Sequence, residues 1–149
     1  MNGEVVLHLL GRDRRIQGGP FDDWRPPAIG LCLEMRSAQA ALAPLTLPIA
    51  DFHAPTQTVL IAGLVALLNA MQAQPDLPAY IGCRAGIGRT GMIIAALAKL
   101  AGQPDPIGWV RAQYHPEAVE TADQRAAVEA LNTAAELAAL APANGSTEA

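Results

Sequence analysis

The sequence predicts an α/β domain: a small central, mostly parallel sheet of about four to five strands flanked by helices. Short apolar runs bounded by Gly and Pro crowd the first third of the chain, whereas the second half reads mainly as helix. Between them a long apolar helix leads into a short strand and a second apolar helix, the alternation that builds parallel sheets. A glycine-rich loop joins that strand to that second helix.

Glu4 to Leu10 reads as a buried first strand, and Gly11 to Pro27, rich in Gly, Pro and charge, as a long connection. Ile29 to Leu33 reads as a second strand, Ser37 to Leu42 as a short helix, and Leu45 to Ile49 as a third strand. Asp51 to Pro55 is a loop. From Thr56 to Gln74 the chain is apolar nearly all round, which predicts a buried helix. Pro75 and Pro78 bracket a turn before the strand Ala79 to Gly82. After the segment CRAGIGRT comes the helix MIIAALAKLA, closed by Gly102. Asp105 and Pro106 pair an N-cap with a proline at the first helical position, opening a helix through Tyr114. Thr121 and Gln124 have capping-box spacing and open a last helix to about Leu140. The expectation is a single domain over residues 1–141 and a disordered tail over 142–149.

Composition narrows the function. The 149 residues are 51% hydrophobic and 16% charged, with net charge −4, which suits a globular chain and not a disordered one. A net-acidic chain is a poor general nucleic-acid binder, because affinity for a polyanion comes from clustered Lys and Arg. Nine of the ten basic residues are arginines, the better residue for bidentate phosphate contacts. Two cysteines, Cys32 and Cys83, cannot build a disulfide framework or a four-thiolate zinc site. The N-terminus lacks a signal-peptide pattern, and the longest apolar runs fall short of the roughly 18 residues of a membrane span. A cytoplasmic monomer without metal or cofactor is expected.

The loop after the Ala79–Gly82 strand carries the chemistry. A short strand, a glycine-rich turn and an apolar helix make an anion site, because loop N–H groups and the positive helix end converge there. Gly86, Gly88 and Gly91 match the dinucleotide pattern G-x-G-x-x-G, but the acid it needs downstream, Asp105, lies among prolines before a helix and not at a strand end. A nucleoside-triphosphate loop needs lysine where Arg89 stands, and a glycine where Cys83 stands. The third reading uses both residues. Cys83 lies where loop amides and the helix end favour a thiolate, and Arg89, six residues on, can grip two oxygens of a tetrahedral oxyanion. A nucleophile at the base of an oxyanion cradle is the requirement for phosphoryl transfer through a cysteinyl-phosphate.

CRAGIGRTG resembles the Cys-x5-Arg-[Ser/Thr] signature of the protein tyrosine phosphatase superfamily, in its compact dual-specificity branch. The resemblance implies Cys83 as nucleophile and Arg89 as phosphate ligand. The amides of Arg84, Ala85, Gly86, Ile87, Gly88 and Arg89 would form the cradle, with Thr90 helping the cysteine to leave. Asp51, 32 residues before Cys83 in the loop IADFHAPT, corresponds to the general acid. The stretch AVETADQ is similar to the one whose glutamine, here Gln124, positions the hydrolytic water; a helix cap explains the same residue. Ile29 to Glu34 resembles the strand beside the signature loop, where some lipid phosphatases carry a cysteine that pairs reversibly with the nucleophile. Cys32 occupies that position, and a small buried residue accounts for it equally well.

One residue departs from the family: Gly82 stands where a histidine usually precedes the nucleophile. Arg84 matches one basic position of phosphoinositide phosphatases, whereas Ile87 stands at the second. The resemblance implies a phosphorylated protein (on Tyr, or on Ser and Thr) or a small phosphoester as substrate. A phosphate-binding module without activity is the reading from a different class.

Overall fold

The computed structural model describes residues 1–133. The chain opens with a hairpin: Gly3–Leu9 (β1) and Arg12–Pro20 (β2) pair antiparallel from Gly3↔Gly18 to Leu9↔Arg12. Only Leu10 and Gly11 join them, with φ of 56° and 82°, the two left-handed residues that a type I′ turn requires. β2 corrects the expectation of a long connection over Gly11 to Pro27. Its charged residues conceal it from a search for apolar runs, yet Arg14, Ile16 and Gly18 are buried while Arg12, Asp13 and Arg15 are exposed. The buried Arg14 donates to the carbonyls of Leu9, Leu10 and Met71, as a charge removed from water must.

Ile29–Cys32 (β3), Leu45–Thr46 (β4) and Ala79–Cys83 (β5) complete a five-stranded sheet in the order β1-β2-β5-β3-β4, parallel everywhere except within the hairpin. This is the small, mostly parallel sheet that the sequence predicts. β5 is central, and all five of its residues are buried. The parallel strands end together near Pro20, Cys83, Cys32 and Thr46, the edge where α/β sheets place their ligand crevices.

Among the described residues four helices follow: Gln57–Ala73 (α1), Gly88–Leu100 (α2), Pro106–Gln113 (α3) and Ala122–Glu129 (α4). Thr56 and Asp105 cap α1 and α3 through side-chain oxygens, as their sequence positions predict. The face carrying Ile16, Leu31 and Ile81 packs with apolar residues of all four helices, among them Leu64, Ile93, Val110 and Val128, in one core. Among the described residues, the other face is covered by a smaller cluster of Phe21, Trp24, Cys32, Ala40 and Tyr80. Phe21 and Trp24 stack there at 5.2 Å, and the Tyr80 phenol, pushed up to about 12 chiefly by burial, donates to Pro20 O.

Three further expectations are corrected. The Ser37 to Leu42 helix is only a 3-10 turn at Ala40–Leu42. The Leu45 to Ile49 strand narrows to two residues, because Pro48 has no N–H to donate; Leu47 and Ile49 still reach the carbonyls of Cys32 and Leu33. The last helix closes at Glu129 instead of running to Leu140; the remainder of that expectation and the 142–149 tail lie outside the described residues. No helix among the described residues is long and apolar enough to cross a membrane.

Candidate active site

β5 ends at Cys83 and α2 begins at Gly88, so four residues turn the chain from strand to helix. The helix starts inside the glycine-rich segment, which places Arg89 and Thr90 in its first turn. Gly86 makes the turn possible: its φ is 76°, and a Cβ there would lie 2.2 Å from the Gly19 carbonyl carbon. The Gly86 N–H points inward and donates to Cys83 Sγ at 3.2 Å, as does Thr90 Oγ1 at the same distance. The loop's carbonyls are held from outside. Asn2 Nδ2 donates to Ala85 O at 2.7 Å and Gly86 O at 3.2 Å, and the Tyr114 hydroxyl donates to Gly86 O.

Arg89 is 2% exposed and fully oriented. One terminal nitrogen donates to Ile49 O at 2.6 Å. The other donates to Glu34 Oε1 at 3.2 Å and lies 3.6 Å from Asp51 Oδ1. Its Nε is buried without a partner. Leaving such a donor unmet costs about 1–3 kcal/mol, so the guanidinium is prepared for an acceptor that completes its fork.

Sequence reasoning missed Glu34. This 7%-exposed carboxylate takes two hydrogen bonds from the Arg36 guanidinium and one from Arg89. Those bonds, Arg36's above all, hold it down to about 2 against the opposing effect of burial. A charged residue right after a strand was the signal available, but nothing local linked it to Arg89, 55 residues later.

The cleft over Cys83 has two lobes that share Cys83 and Arg84. One, of about 220 Å³, is lined by Asp22, Glu34, Arg36 and Ser37. The other, about 390 Å³, is lined by Asp51, Phe52, Ala85, Gly88, Arg89 and Glu120. The structure thus gathers Cys83, Arg89, Thr90, Asp51 and the loop residues around one cleft, with Arg84 exposed at its rim. Ile87 forms the N-cap of α2.

Residues 31–103 match the family described as DSP-PTPase phosphatases of polymorphic toxin systems. An uncharacterized protein of Methanocaldococcus jannaschii is 35% identical over 80 residues, which make up 54% of this chain and 49% of that protein. The chain thus spans about half the length of the curated relative it matches. Among solved structures, Tk-PTP in its active form is similar at 23% identity with a TM-score of 0.60, over 78% of this chain and 89% of that one. Kinase associated phosphatase, with its catalytic-site cysteine changed to serine, is similar at 15% identity and TM-score 0.61, over 92% of this chain and 96% of that one. These two likenesses show the fold. Residues 31–103 thus match a dual-specificity phosphatase family, and the chain shares the fold of protein tyrosine phosphatases.

The departure of Gly82 from the signature that CRAGIGRTG resembles has a steric reason. A Cβ on Gly82 would lie 2.8 Å from both N and Cα of Phe21 and 2.9 Å from Gly19 O. Backbone therefore occupies the space that a histidine side chain would need. Gln124 is fully buried, and its amide is engaged at both ends: Oε1 accepts the Glu120 N–H at 2.8 Å, and Nε2 donates to His53 O at 3.3 Å. Only half of the expected capping box forms, through the Gln124 N–H to Thr121 Oγ1. Cys32 is also buried, donates to Glu34 O at 3.2 Å, and has its thiol pushed up chiefly by burial. It pairs in register with Gly82, on the sheet face opposite to the one carrying Cys83. Both cysteines are free thiols.

Proposed function

We propose that this domain is a phosphoric monoester hydrolase that works through a cysteinyl-phosphate, as a protein tyrosine or dual-specificity phosphatase. The observation that carries the reading is the buried, unpartnered Nε of Arg89 beside a thiol at the base of an amide-lined loop. A phosphoryl group above Cys83 would supply the missing acceptor and receive the loop N–H groups of residues 84–89. Cys83 attacks phosphorus, Arg89 and the loop stabilise the equatorial oxygens, and Asp51 protonates the leaving oxygen from the cleft wall. The Thr90 hydroxyl stabilises the thiolate when it departs. The open two-lobed cleft and the exposed Phe52 on its edge favour a phosphorylated side chain, Tyr as well as Ser or Thr.

Hydrolysis of p-nitrophenyl phosphate and of phosphotyrosine and phosphoserine peptides, by wild type and Cys83→Ser, tests this reading. Turnover by wild type alone, inhibited by vanadate, is expected. Vanadate binding without any turnover would instead make the domain a phosphate-binding module, and equal activity in the two proteins would remove Cys83 from the mechanism.

A further inference from the structure

Glu120 belongs to no part of the Cys-x5-Arg-Thr signature, yet the structure places it on the wall of the lobe that contains Cys83. Its carboxylate lies against the first residue of α2: a Cβ on Gly88 would stand 1.8 Å from Glu120 Oε1. It lines the larger lobe together with Cys83, Arg89 and Asp51. The backbone delivering it is strained, for Val119 has a φ of 63°, in the left-handed region that β-branched residues avoid. Surrounding bonds enforce that conformation. Arg111 donates to Ala118 O at 2.8 Å and Val119 O at 2.7 Å, and Gln124 Oε1 accepts the Glu120 N–H. Strain maintained in this way collects at functional sites. Phe52, with φ 64°, has the same unusual conformation beside Asp51, so each carboxylate of this lobe adjoins a left-handed, non-glycine residue. Gln124 meanwhile has both ends of its amide engaged, by the Glu120 N–H and by His53 O.

We propose that Glu120 is the general base for hydrolysis of the cysteinyl-phosphate, with Arg111 and Gln124 as its positioning residues. The proposal rests on reading Cys83 as the nucleophile. Once the leaving group departs, water enters the larger lobe between Glu120 and phosphorus. Its oxygen forms the new P–O bond while its proton passes to the Glu120 carboxylate. The P–S bond breaks, its electron pair returns to Cys83 as thiolate, and the Thr90 hydroxyl donates to that sulfur. Inorganic phosphate leaves, and Glu120 releases the proton to solvent. Asp51 serves the first step and Glu120 the second.

Stopped-flow hydrolysis of p-nitrophenyl phosphate by wild type, Cys83→Ser, Asp51→Asn and Glu120→Gln tests this. Loss of turnover in Cys83→Ser, with an active wild type, establishes the nucleophile independently of Glu120. Glu120→Gln is then expected to release one equivalent of p-nitrophenol at the wild-type single-turnover rate, followed by steady-state turnover slowed about 10²-fold or more. Acid quench and intact-protein mass should trap its phosphorylated form, and Glu120→Asp should recover part of the steady-state rate. Asp51→Asn should show no burst, because its defect precedes the intermediate. Glu120 is exposed, so Glu120→Gln should keep the wild-type melting curve. An unchanged kcat in Glu120→Gln overturns the proposal, as does a slowed steady state without a burst. A lower KM at constant kcat also overturns it, because that is the behaviour of a rim charge that only repels substrate. A wild type that never turns over removes the functional reading itself, and this proposal with it.

Discussion

The glycine-rich loop that carries Cys83 and the walls of its cleft are built in different ways. Residues 83–90 form a continuous unit: the strand end, the turn at Gly86 and the first turn of α2 bring the thiol, its hydrogen-bond donors and the guanidinium together within one stretch of chain. The walls are assembled from distant segments. Glu34 follows β3, Asp51 precedes α1, Glu120 precedes α4, and Asn2 reaches the loop from the other end of the sequence. Local geometry thus brings together the parts of the proposed anion cradle, whereas tertiary contacts decide how its arginine is oriented and which acids face it.

Arg89 joins the two regions, and its replacement should have the largest effect. Arg89→Ala is expected to lower kcat/KM by about 10³-fold, the scale of losing a transition-state oxyanion donor. It should also destabilise the fold by about 1–3 kcal/mol, because a donor to the buried Glu34 disappears. Arg89→Lys should restore little activity, since an ammonium lacks the planar fork. Steady-state kinetics and urea unfolding measure the two effects, and a fully active Arg89→Lys would mean that charge alone suffices.

Gly82→His inserts the residue usual in the signature that CRAGIGRTG resembles, where a wall presses on the loop. With Phe21 backbone 2.8 Å from the new Cβ, a loss of about 1–3 kcal/mol is expected, read as a lower melting temperature. A variant as stable as wild type would show that Phe21 yields easily.

Glu34→Gln separates orientation from charge. The folded-state carboxyl, near 2, binds its proton more weakly than the unfolded one near 4.5. Its contribution is therefore fully present above about pH 4.5 and lost as pH falls toward 2. Glu34→Gln should flatten that acid limb in a series of unfolding curves while raising KM for phosphoesters severalfold through a less constrained Arg89. An unchanged acid limb would mean that Glu34 contributes nothing to the pH dependence.

Asn2→Ala should have the smallest effect. It removes a side chain that donates to Ala85 O and Gly86 O from the solvent side, contacts worth about 0.5–1.5 kcal/mol. A severalfold weaker inhibition by vanadate, with little change in melting temperature, is expected. Identical inhibition would show that the loop holds its shape without outside support.

Much of this molecule was legible in one dimension because the forces concerned are local. The caps at Thr56 and Asp105 could be read because each is one side chain bonding to a nearby N–H. The strand–loop–helix around Cys83 could be read because backbone direction follows from the glycine turn and the helix start. β2 escaped notice because its inward positions include Arg14 and Gly18, whose burial depends on carbonyls of Met71 and on the ring of Tyr114 packed against it. Gly82 reads in the sequence as a departure from the signature, yet in three dimensions its missing Cβ leaves room for the Phe21 backbone. The sequence alone determined the mostly parallel sheet, the strand–loop–helix around Cys83 and its resemblance to a phosphatase signature. Only the tertiary structure decided the orientation of Arg89 by Glu34, the engagement of Gln124 and the approach of Glu120 to Gly88. Those depend on side chains meeting across tens of residues, and such meetings are set by packing, which no local pattern records.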